Sequence, residues 1–308
     1  MRIVFIGSSA FGLRCLSEIL EISESKVVGV ITAPKKFEIS YSKDKVENVL
    51  HTDFSSFCYE KMLPCEVISD VGMQEEVLFE KVRKWQPDIF IVVGWYHMIP
   101  SKWRAICPSY GLHASLLPDY SGGAPLVWAI INGEKKTGIT LFQMDDAVDA
   151  GPIIGQIEEK IYPEDTIASL YSRIEDHGVA LLRVNLPKLA SGEHMELVQD
   201  EQKRRIFPQR SPQDGLINLH NSCNQIFDFV RAQTKPYPGA FLKTKDGAEK
   251  IIIWECKTIR SEHKGDVGSV VSIGNELGIF CSDGVLIPLR ISYQGNDCLF
   301  HSEISMLL

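Results

Sequence analysis

The sequence predicts an α/β protein in which a Rossmann-like parallel sheet is followed by a small OB-like β-barrel. Short apolar runs typical of strands buried on both faces alternate with segments of helical periodicity in the first part. After residue 250, short strands with glycine-containing turns follow one another closely, which is typical of a small barrel. With 308 residues, 44% of them hydrophobic, the chain is long enough for two domains with separate cores.

The first elements predict a strand, a helix and a second parallel strand. Residues 3–6 form an apolar run, and Ser9 precedes a segment, 13–20, in which leucine and isoleucine recur at helical spacing. Residues 26–32 then form a valine-rich strand. Such a unit closes with a right-handed crossover, which places both strands in one parallel sheet.

Further elements follow in alternating order up to residue 189. The strand at 88–93 is continuously apolar and ends at Gly94, so the chain emerges there at the carboxyl end of a strand, the edge where α/β proteins bind ligands. The remaining predicted elements of this part are helices at 75–85, 126–131 and 166–189 and a strand at 138–144.

The polarity of the chain predicts where the two domains divide. Residues 191–206 are polar and contain a charged run, so we predict a first domain at 1–190, a linker at 191–206 and a second domain at 207–308. The predicted strands of the second domain are 250–254, 268–273, 278–281 and 285–289.

The net charge of −8 argues against general binding to nucleic acid, because nonspecific affinity for phosphate backbones depends on Lys and Arg. The eight cysteines show no zinc spacing, and we expect free thiols and no metal site. We expect a cytoplasmic protein without a membrane partner, since no stretch approaches the roughly 20 apolar residues of a membrane span.

The loop after the first strand lacks the usual sequence motif for dinucleotide binding. Residues 7–12 read Gly-Ser-Ser-Ala-Phe-Gly, which lacks GxGxxG spacing, and no acidic residue follows the second strand. A NAD-dependent oxidoreductase is therefore disfavoured.

His113 and Asp149 are the candidate proton-handling residues. We predict that His113 lies in a loop between Pro108 and Pro118, where an apolar Leu-Leu-Pro segment holds the loop rigid. Asp149 follows a predicted buried strand. Since a carboxylate orients a neighbouring imidazole and stabilises its charged form, we expect the two side chains to lie within direct or one-water hydrogen-bond reach of each other.

The same segments resemble the folate-dependent formyltransferases, which act on methionyl-tRNA or on nucleotide-linked amino sugars. The resemblance runs through nearly the whole chain. It rests on His-Ala-Ser-Leu-Leu-Pro at 113–118, Gly-Ala-Pro at 123–125, Trp-Ala-Ile-Ile-Asn-Gly-Glu at 128–134, Thr-Gly-Ile-Thr at 137–140, Met-Asp at 144–145, Asp-Ala-Gly at 149–151, Arg-Ser-Pro-Gln-Asp-Gly-Leu-Ile at 210–217, and 231–241.

The resemblance implies a catalytic Asn, His and Asp, of which this chain keeps two. The histidine corresponds to His113 and the carboxylate to Asp149, but the asparagine corresponds to Gly111. Glycine has no side chain to stabilise an oxyanion, and loss of one such donor costs about 10²–10³ in rate where it acts alone. Either His113, as an imidazolium, stabilises the oxyanion largely by itself, or activity is weakened or lost.

The resemblance also implies 10-formyltetrahydrofolate as the formyl donor, with no metal. Its residues divide into folate-binding and acceptor-binding positions. The folate-binding positions are Gly94, Trp95, Tyr96, Ser115, Leu116, Leu117, Pro118 and Asp145. The acceptor-binding positions are Ser9, Phe11, Gly122 and Gly123.

Two departures from the family favour a small amine over tRNA as the acceptor. Ser121 stands where relatives carry an arginine, and residues 33–53 have mixed charge where the tRNA enzymes carry a long basic loop. A folded loop suits that composition better than an arm that follows phosphates. A nucleotide-linked amino sugar is thus expected first. Methionyl-tRNA, hydrolysis of the folate, and folate binding without catalysis are the alternatives.

Overall fold

The computed structural model describes residues 1–38, 46–70, 72–261 and 265–308, and the backbone alone of Val46. Its longer helices are α1 Ala10–Leu20, α2 Phe54–Glu60, α3 Glu76–Trp85, α5 Pro125–Ile131, α6 Ile167–Ser191 and α7 Cys223–Arg231, and its four-residue helices are α4 Ser101–Arg104 and α8 Ser302–Ser305.

The strands of the N-terminal part are β1 Arg2–Gly7, β2 Lys26–Thr32, β3 Lys36–Phe37, β4 Val46–Glu47, β5 Cys65–Val67, β6 Ile89–Val93, β7 Ser109–His113, β8 Ser121–Gly122, β9 Lys136–Gln143 and β10 Ile153–Lys160. Those of the C-terminal part are β11 Ile206–Phe207, β12 Ala240–Lys243, β13 Lys250–Arg260, β14 Val270–Ile273, β15 Glu276–Cys281, β16 Gly284–Tyr293 and β17 Asn296–Cys298.

The chain divides into two compact units that interleave in sequence. The first contains residues 1–122, 138–159 and 173–206, and the second contains 123–137, 160–172 and 207–308. The segment predicted as a linker, 191–206, is counted with the first unit. Leu197 and Ile153 exchange two backbone hydrogen bonds of 2.8 and 2.9 Å, so this segment is tied to the strand β10.

A seven-stranded sheet in the order β10-β9-β7-β6-β1-β2-β5 forms the centre of the first unit. Strands β5, β2, β1, β6 and β7 are parallel neighbours, as the alternating apolar runs predict, and β9 runs antiparallel to β7. All five residues of β6 are buried, because it lies in the middle of the sheet and is covered on both faces. The prediction of an α/β fold with a parallel sheet is confirmed.

The ends of the loop after β2 are folded, as the mixed charge predicts. Lys36–Phe37 pairs with Val46–Glu47 in an antiparallel register, and the Phe37 side chain is buried. The central part of this predicted loop, residues 39–45, lies outside the described residues.

The second unit contains an antiparallel sheet in the order β12-β13-β16-β15-β14, with β17 on β16. Helix α7 begins at a capping box formed by Ser222 and Gln225, and its buried side chains join the core of this sheet. The antiparallel sheet agrees with the predicted class of the second domain, whereas closure into a barrel stays a prediction.

The eight cysteines are free thiols, six of them buried. The Sγ atoms of Cys223 and Cys281 lie 3.6 Å apart, with Asp283 beside them, a proximity that sequence spacing does not reveal. Burial and the hydrogen bond with Cys281 raise the pKa of Cys223 to about 12, so this thiol is protonated at neutral pH. None of the described helices has the length and apolar character to cross a membrane.

Candidate functional site

His113 is the last residue of the strand β7, not a loop residue as the flanking prolines predict. Its Nε2 atom lies 2.8 Å from the carbonyl oxygen of Tyr120. Because a carbonyl oxygen only accepts, Nε2 carries a hydrogen and donates it. The ring meets Phe142 edge to face, with centroids 6.5 Å apart. These contacts fix the ring and leave Nδ1 as the nitrogen for other partners.

Asp149 lies beside that second nitrogen. The distance from its Oδ2 atom to Nδ1 of His113 is 3.6 Å, and the side chains are 17% and 11% exposed, respectively. The same Oδ2 accepts the backbone N–H of Gly122 at 2.7 Å. The predicted proximity of His113 and Asp149 is confirmed, and 3.6 Å is slightly longer than a direct hydrogen bond.

The antiparallel direction of β9 means that the end of this strand does not itself place Asp149 next to His113. Asp149 follows β9, which is antiparallel to β7, so the carboxyl end of β9 at Gln143 lies opposite Tyr110. His113 is three residues further along β7, about 10 Å at the usual rise of a strand. The turn after β9 therefore folds back along the sheet to bring Asp149 to His113.

The loop after His113 is held by hydrogen bonds on both sides. Ser115 Oγ donates to the carbonyl of Asp119 at 2.7 Å, and Thr140 Oγ1 donates to the carbonyl of Ser115 at 2.7 Å. Arg205 forms two 2.6 Å hydrogen bonds with the Asp119 carboxylate and lies over the ring of Tyr120. The predicted rigidity of this loop thus depends on a side chain from the supposed linker.

Leu116, Leu117 and Pro118 form the predicted apolar wedge. Leu117 is buried, and Leu116 packs against Gly138, where an added Cβ would lie 2.5 Å from Leu116 Cδ2. The Leu117–Pro118 peptide bond is cis. Ser121 is buried and donates its hydroxyl hydrogen to the carbonyl of Pro118.

The space beside Gly111 is filled. A Cβ built on Gly111 would lie 2.7 Å from Cε of Met144 and 3.2 Å from Cε1 of Phe142. Phe142 is the residue that meets the His113 ring. The volume that a side chain at position 111 would enter is therefore occupied by two apolar side chains, of which the methionine is the more adaptable.

The residues after β6 form an aromatic cluster. Phe37 packs on Tyr96 and His97, with ring centroids 5.5 and 4.9 Å apart, and Trp95 lies 5.3 Å from His97. Tyr96 donates to Oδ1 of the fully buried Asn48 at 3.4 Å. Burial lowers the pKa of His97, which favours the neutral ring.

Two nitrogens of this cluster are buried without a hydrogen-bond partner among the described residues: Nε1 of Trp95 and Nε2 of His97. Unpaired buried polar atoms are rare and call for an explanation, of which a ligand is one. Gly94 is required by its surroundings, since it has a φ of 60° and its Cβ would lie 1.9 Å from Ser9 Oγ.

The other predicted site residues have structural partners. Ser9 is buried and caps α1, because its Oγ accepts the N–H of Gly12. Phe11 is also buried, and its ring packs so closely on Gly178 that a Cβ added there would lie 2.4 Å from Phe11 Cζ. Asp145 is exposed and accepts the N–H of Asp146. Gly123 belongs to the second unit. The structure thus brings His113, Asp149 and Gly122 together by direct contacts, and Gly94 beside Ser9.

Sequence reasoning missed two groups that touch this site. The Tyr120 carbonyl, which binds His113, is a backbone atom and leaves no trace in side-chain patterns. Gln199 donates to the carbonyl oxygens of Asp149 and Gly151 at 2.8 and 2.7 Å. Its position in a polar segment is typical of a linker residue, so sequence alone offered no signal for it.

Comparison with known protein families gives two matches. A model described as "Formyl transferase" matches residues 1–185, and one described as "Formyl transferase, C-terminal domain" matches residues 210–303. His113 and Asp149 lie within the first match.

Solved structures share the fold at low sequence identity. HypX from Aquifex aeolicus in complex with tetrahydrofolic acid is 18% identical, with a TM-score of 0.62 over 96% of this chain and 44% of HypX, so this chain spans less than half of that protein. An N-formyltransferase from Helicobacter canadensis, in complex with folinic acid and dTDP-3-aminofucose, is 18% identical, with a TM-score of 0.63 over 93% of this chain and 98% of that chain. Methionyl-tRNA formyltransferase from Clostridium thermocellum is 18% identical, with a TM-score of 0.55 over 93% and 98%.

Proposed function

Because the chain belongs to the formyl transferase family, we propose that it transfers the formyl group of 10-formyltetrahydrofolate to a primary amine on a nucleotide-linked amino sugar. The observation that carries this proposal is the His113–Asp149 pair, with 3.6 Å between Nδ1 and Oδ2. The Helicobacter canadensis neighbour, which holds folinic acid and an amino-sugar nucleotide, supports both substrate classes.

Nδ1 of His113 is the nitrogen that handles the proton. Since Nε2 donates to the Tyr120 carbonyl, the neutral ring has its lone pair on Nδ1. Nδ1 accepts the proton that the attacking amine loses and returns it to the nitrogen that leaves. Asp149 stabilises the charged ring between these steps. Such general acid–base catalysis contributes about 10²–10⁴ in rate.

The charged His113 ring also replaces the missing amide of the family's asparagine. Once Nδ1 holds the proton, its N–H donates to the oxygen that develops negative charge on the formyl carbon. The side chains at Gly111 and Met144 offer no polar hydrogen, so the proposed side-chain donor to this oxygen is His113. We therefore expect a slower enzyme than relatives that keep the asparagine.

The aromatic cluster after β6 fits the formyl donor. Nε1 of Trp95 and Nε2 of His97, which have no hydrogen-bond partner among the described residues, are candidate partners for the polar edge of a pterin, with Gly94 and Tyr96 beside them. The loop after His113 and the turn after β9 complete the proposed donor site. Their residues are Ser115, Leu116, Leu117, Pro118 and Asp145.

The acceptor is proposed to bind beside Asp149, next to the backbone of Gly122. The loop of Ser9 and Phe11 stays in this proposal, with backbone atoms as the contacts, because both of these side chains are buried. Methionyl-tRNA is disfavoured because Lys35 and Lys36 both pair with Glu47 at 2.9 and 3.3 Å, which reduces the positive charge of that loop.

The acceptor is identified by steady-state kinetics with 10-formyltetrahydrofolate and a panel of nucleotide-linked amino sugars, together with methionyl-tRNA. We expect the highest kcat/KM for one of the amino sugars. His113→Asn should lower it by about 10²–10⁴. His177→Asn is the matched control, because His177 also pairs with a carboxylate, Glu159, at 2.6 Å outside the site.

Each alternative predicts a different outcome of that experiment. A preference for methionyl-tRNA would replace the acceptor. Formate released at the same rate without any amine would indicate hydrolysis. Folate binding with no turnover on any acceptor would indicate a folate-binding protein that has lost catalysis. Equal activity of the His113 and His177 variants would refute the proposed role of His113.

A further inference from the structure

Asp149 has a backbone conformation that its own sequence does not favour. Its φ is 52°, in the left-handed region that glycine adopts most readily and that aspartate tolerates better than most other residues do. Such a conformation persists where the surroundings specify it more than once. The turn from 148 to 151 should therefore have strong anchors outside itself.

Gln199 is such an anchor. Its side-chain amide has two hydrogens, and it donates to the carbonyl oxygens of Asp149 at 2.8 Å and Gly151 at 2.7 Å. The side chain is 7% exposed, so water competes little for these bonds. One rigid amide thereby sets the distance between the two carbonyl groups of the turn.

The segment around Gln199 is fixed as well. Leu197 pairs with Ile153 in both directions, and Arg204 donates to the carbonyl of Val148. On the opposite side of the turn, a Cβ on Gly151 would lie 1.8 Å from the carbonyl oxygen of Gln143, so the turn has no room to shift towards β9.

The buried amide of Gln199 is costly in one respect. Its Oε1 atom is buried without a hydrogen-bond partner in the part of the chain that the structure describes. An unpaired buried acceptor destabilises a fold. The side chain is nevertheless buried there. We take this as a sign that its two N–H donors are needed to bind the carbonyl oxygens of the turn.

We propose that Gln199 is a positioning residue: it holds the Asp149 turn so that the carboxylate stands between the Gly122 N–H, 2.7 Å away, and Nδ1 of His113, 3.6 Å away. This inference rests on the proposed function of the His113–Asp149 pair. Gln199 lies between the two family matches, which cover 1–185 and 210–303.

The test compares Gln199→Met, which keeps the length of the side chain and removes both donors, with wild type. We expect kcat to fall by about 10- to 100-fold, the range for small misplacements of catalytic groups. The KM for the formyl donor should change less than about twofold, because the variant leaves ground-state binding in place. Gln233→Met is the matched control: Gln233 is equally buried and hydrogen-bonded, but in the second unit, and its variant should keep the wild-type kcat.

A measurement that does not need activity accompanies the kinetics. The Gly122 amide donates to the Asp149 carboxylate, so its proton resonance reports the position of that carboxylate. In ¹⁵N-glycine-labelled protein we expect this resonance to move upfield in Gln199→Met and to stay in place in Gln233→Met. Gln199→Ala, in which a water molecule can bridge the two carbonyls, should give a smaller change in the same direction.

Wild-type kcat in Gln199→Met, or a fall in kcat with the Gly122 resonance unmoved, would overturn the positioning role. Failure of both Gln199 variants to fold would overturn it too, because Gln199 would then serve stability alone. If wild-type protein transfers no formyl group, the proposed function fails, and the Gly122 resonance still decides whether Gln199 positions Asp149.

Discussion

At the scale of single residues, Gly111 is the position where we expect this site to differ from its relatives. The sequence resemblance aligns it with the family's asparagine, and the structure fills the adjacent volume with Met144 and Phe142. Phe142 also packs on the His113 ring. Since neighbours of a glycine adapt to its missing side chain, a pocket rebuilt around Gly111 accounts for both contacts better than a simple loss.

Gly111→Asn should therefore lower activity and folate affinity instead of restoring them. The new Cβ would lie 2.7 Å from Met144 Cε, and the movement it forces would press Phe142 towards His113. We expect a several-fold rise in the Kd for the folate and a lower kcat, both partly recovered in the double variant Gly111→Asn, Met144→Ala. A higher kcat with unchanged Kd would show that the pocket still accepts the asparagine.

Asp149 allows charge and backbone conformation to be separated. Asparagine tolerates the left-handed region as aspartate does and keeps an oxygen for the Gly122 N–H, whereas alanine does neither. Asp149→Asn should keep the wild-type Tm and lose about 10²–10⁴ of kcat, the range for general acid–base catalysis. Asp149→Ala should lose both activity and stability. Thermal unfolding and kinetics of the two variants check this, and full activity of Asp149→Asn would exclude a role for the charge.

At the scale of elements, the continuously apolar strands were predictable and the strands of mixed polarity were not. β1, β2 and β6 are continuous apolar runs because they lie inside the sheet. β10 was missed because its second half is rich in charged residues and alternates between half-buried and exposed positions. This pattern is typical of a strand at the edge of a sheet. β7 is as long as β6 but was missed because Ser109, Gly111 and His113 interrupt its apolar pattern, and this hid that His113 lies on a strand.

The site was predictable to the same degree. His113 and Asp149 lie in segments whose motifs identify them, whereas the turn that brings Asp149 back to His113 along the antiparallel strand β9 was not predictable. Gln199 and the Tyr120 carbonyl act through backbone atoms and hydrogen bonds between segments that are distant in sequence. Such contacts depend on tertiary structure, which periodicity and motif spacing do not record.

The loop after β6 should make stability depend on pH through His97. Burial lowers its pKa from the ordinary 6.5, so below that value the unfolded chain binds a proton that the folded chain does not. The neutral, buried His97 therefore stabilises the fold fully above the ordinary pKa. This stabilisation is lost as the pH falls towards the lower pKa of the folded chain. His97→Phe, which keeps the ring contacts with Phe37 and Trp95, should lose less stability than wild type between about pH 8 and pH 5.5.

Urea unfolding across that range measures this difference. The control is His220→Gln, because His220 is exposed and its variant should follow the wild-type pH dependence. A His97→Phe variant whose stability falls as steeply as that of wild type would show that another group titrates.

At the scale of the whole molecule, the net negative charge argues against methionyl-tRNA as the acceptor. The chain has 40 acidic and 32 basic residues, and a protein that binds nucleic acid through many phosphates shows affinity that falls steeply with salt. We expect no specific binding of methionyl-tRNA at about 0.15 M salt, where the screening length is about 8 Å, and at most weak association below it. Tight tRNA binding by filter assay at that salt concentration would promote the tRNA alternative.

The division of the chain also has a consequence for experiments. Residues 123–137 and 160–172 are counted with the C-terminal unit, so a truncation at 190 or 206 would leave two segments of that unit behind. The full chain is therefore the form in which the chemistry should be measured.

The fate of a labelled formyl carbon distinguishes formyl transfer to a sugar amine from hydrolysis and from folate binding alone. The full chain is incubated with 10-[¹³C]formyltetrahydrofolate and the preferred nucleotide-linked amino sugar, and the products are followed by NMR. We expect the label to appear in an N-formyl amide on the sugar nitrogen, at a rate that His113→Asn lowers by about 10²–10⁴ and His177→Asn leaves unchanged. Label recovered as formate, or left on the folate while the protein binds it, would show that the protein does not formylate an amino sugar.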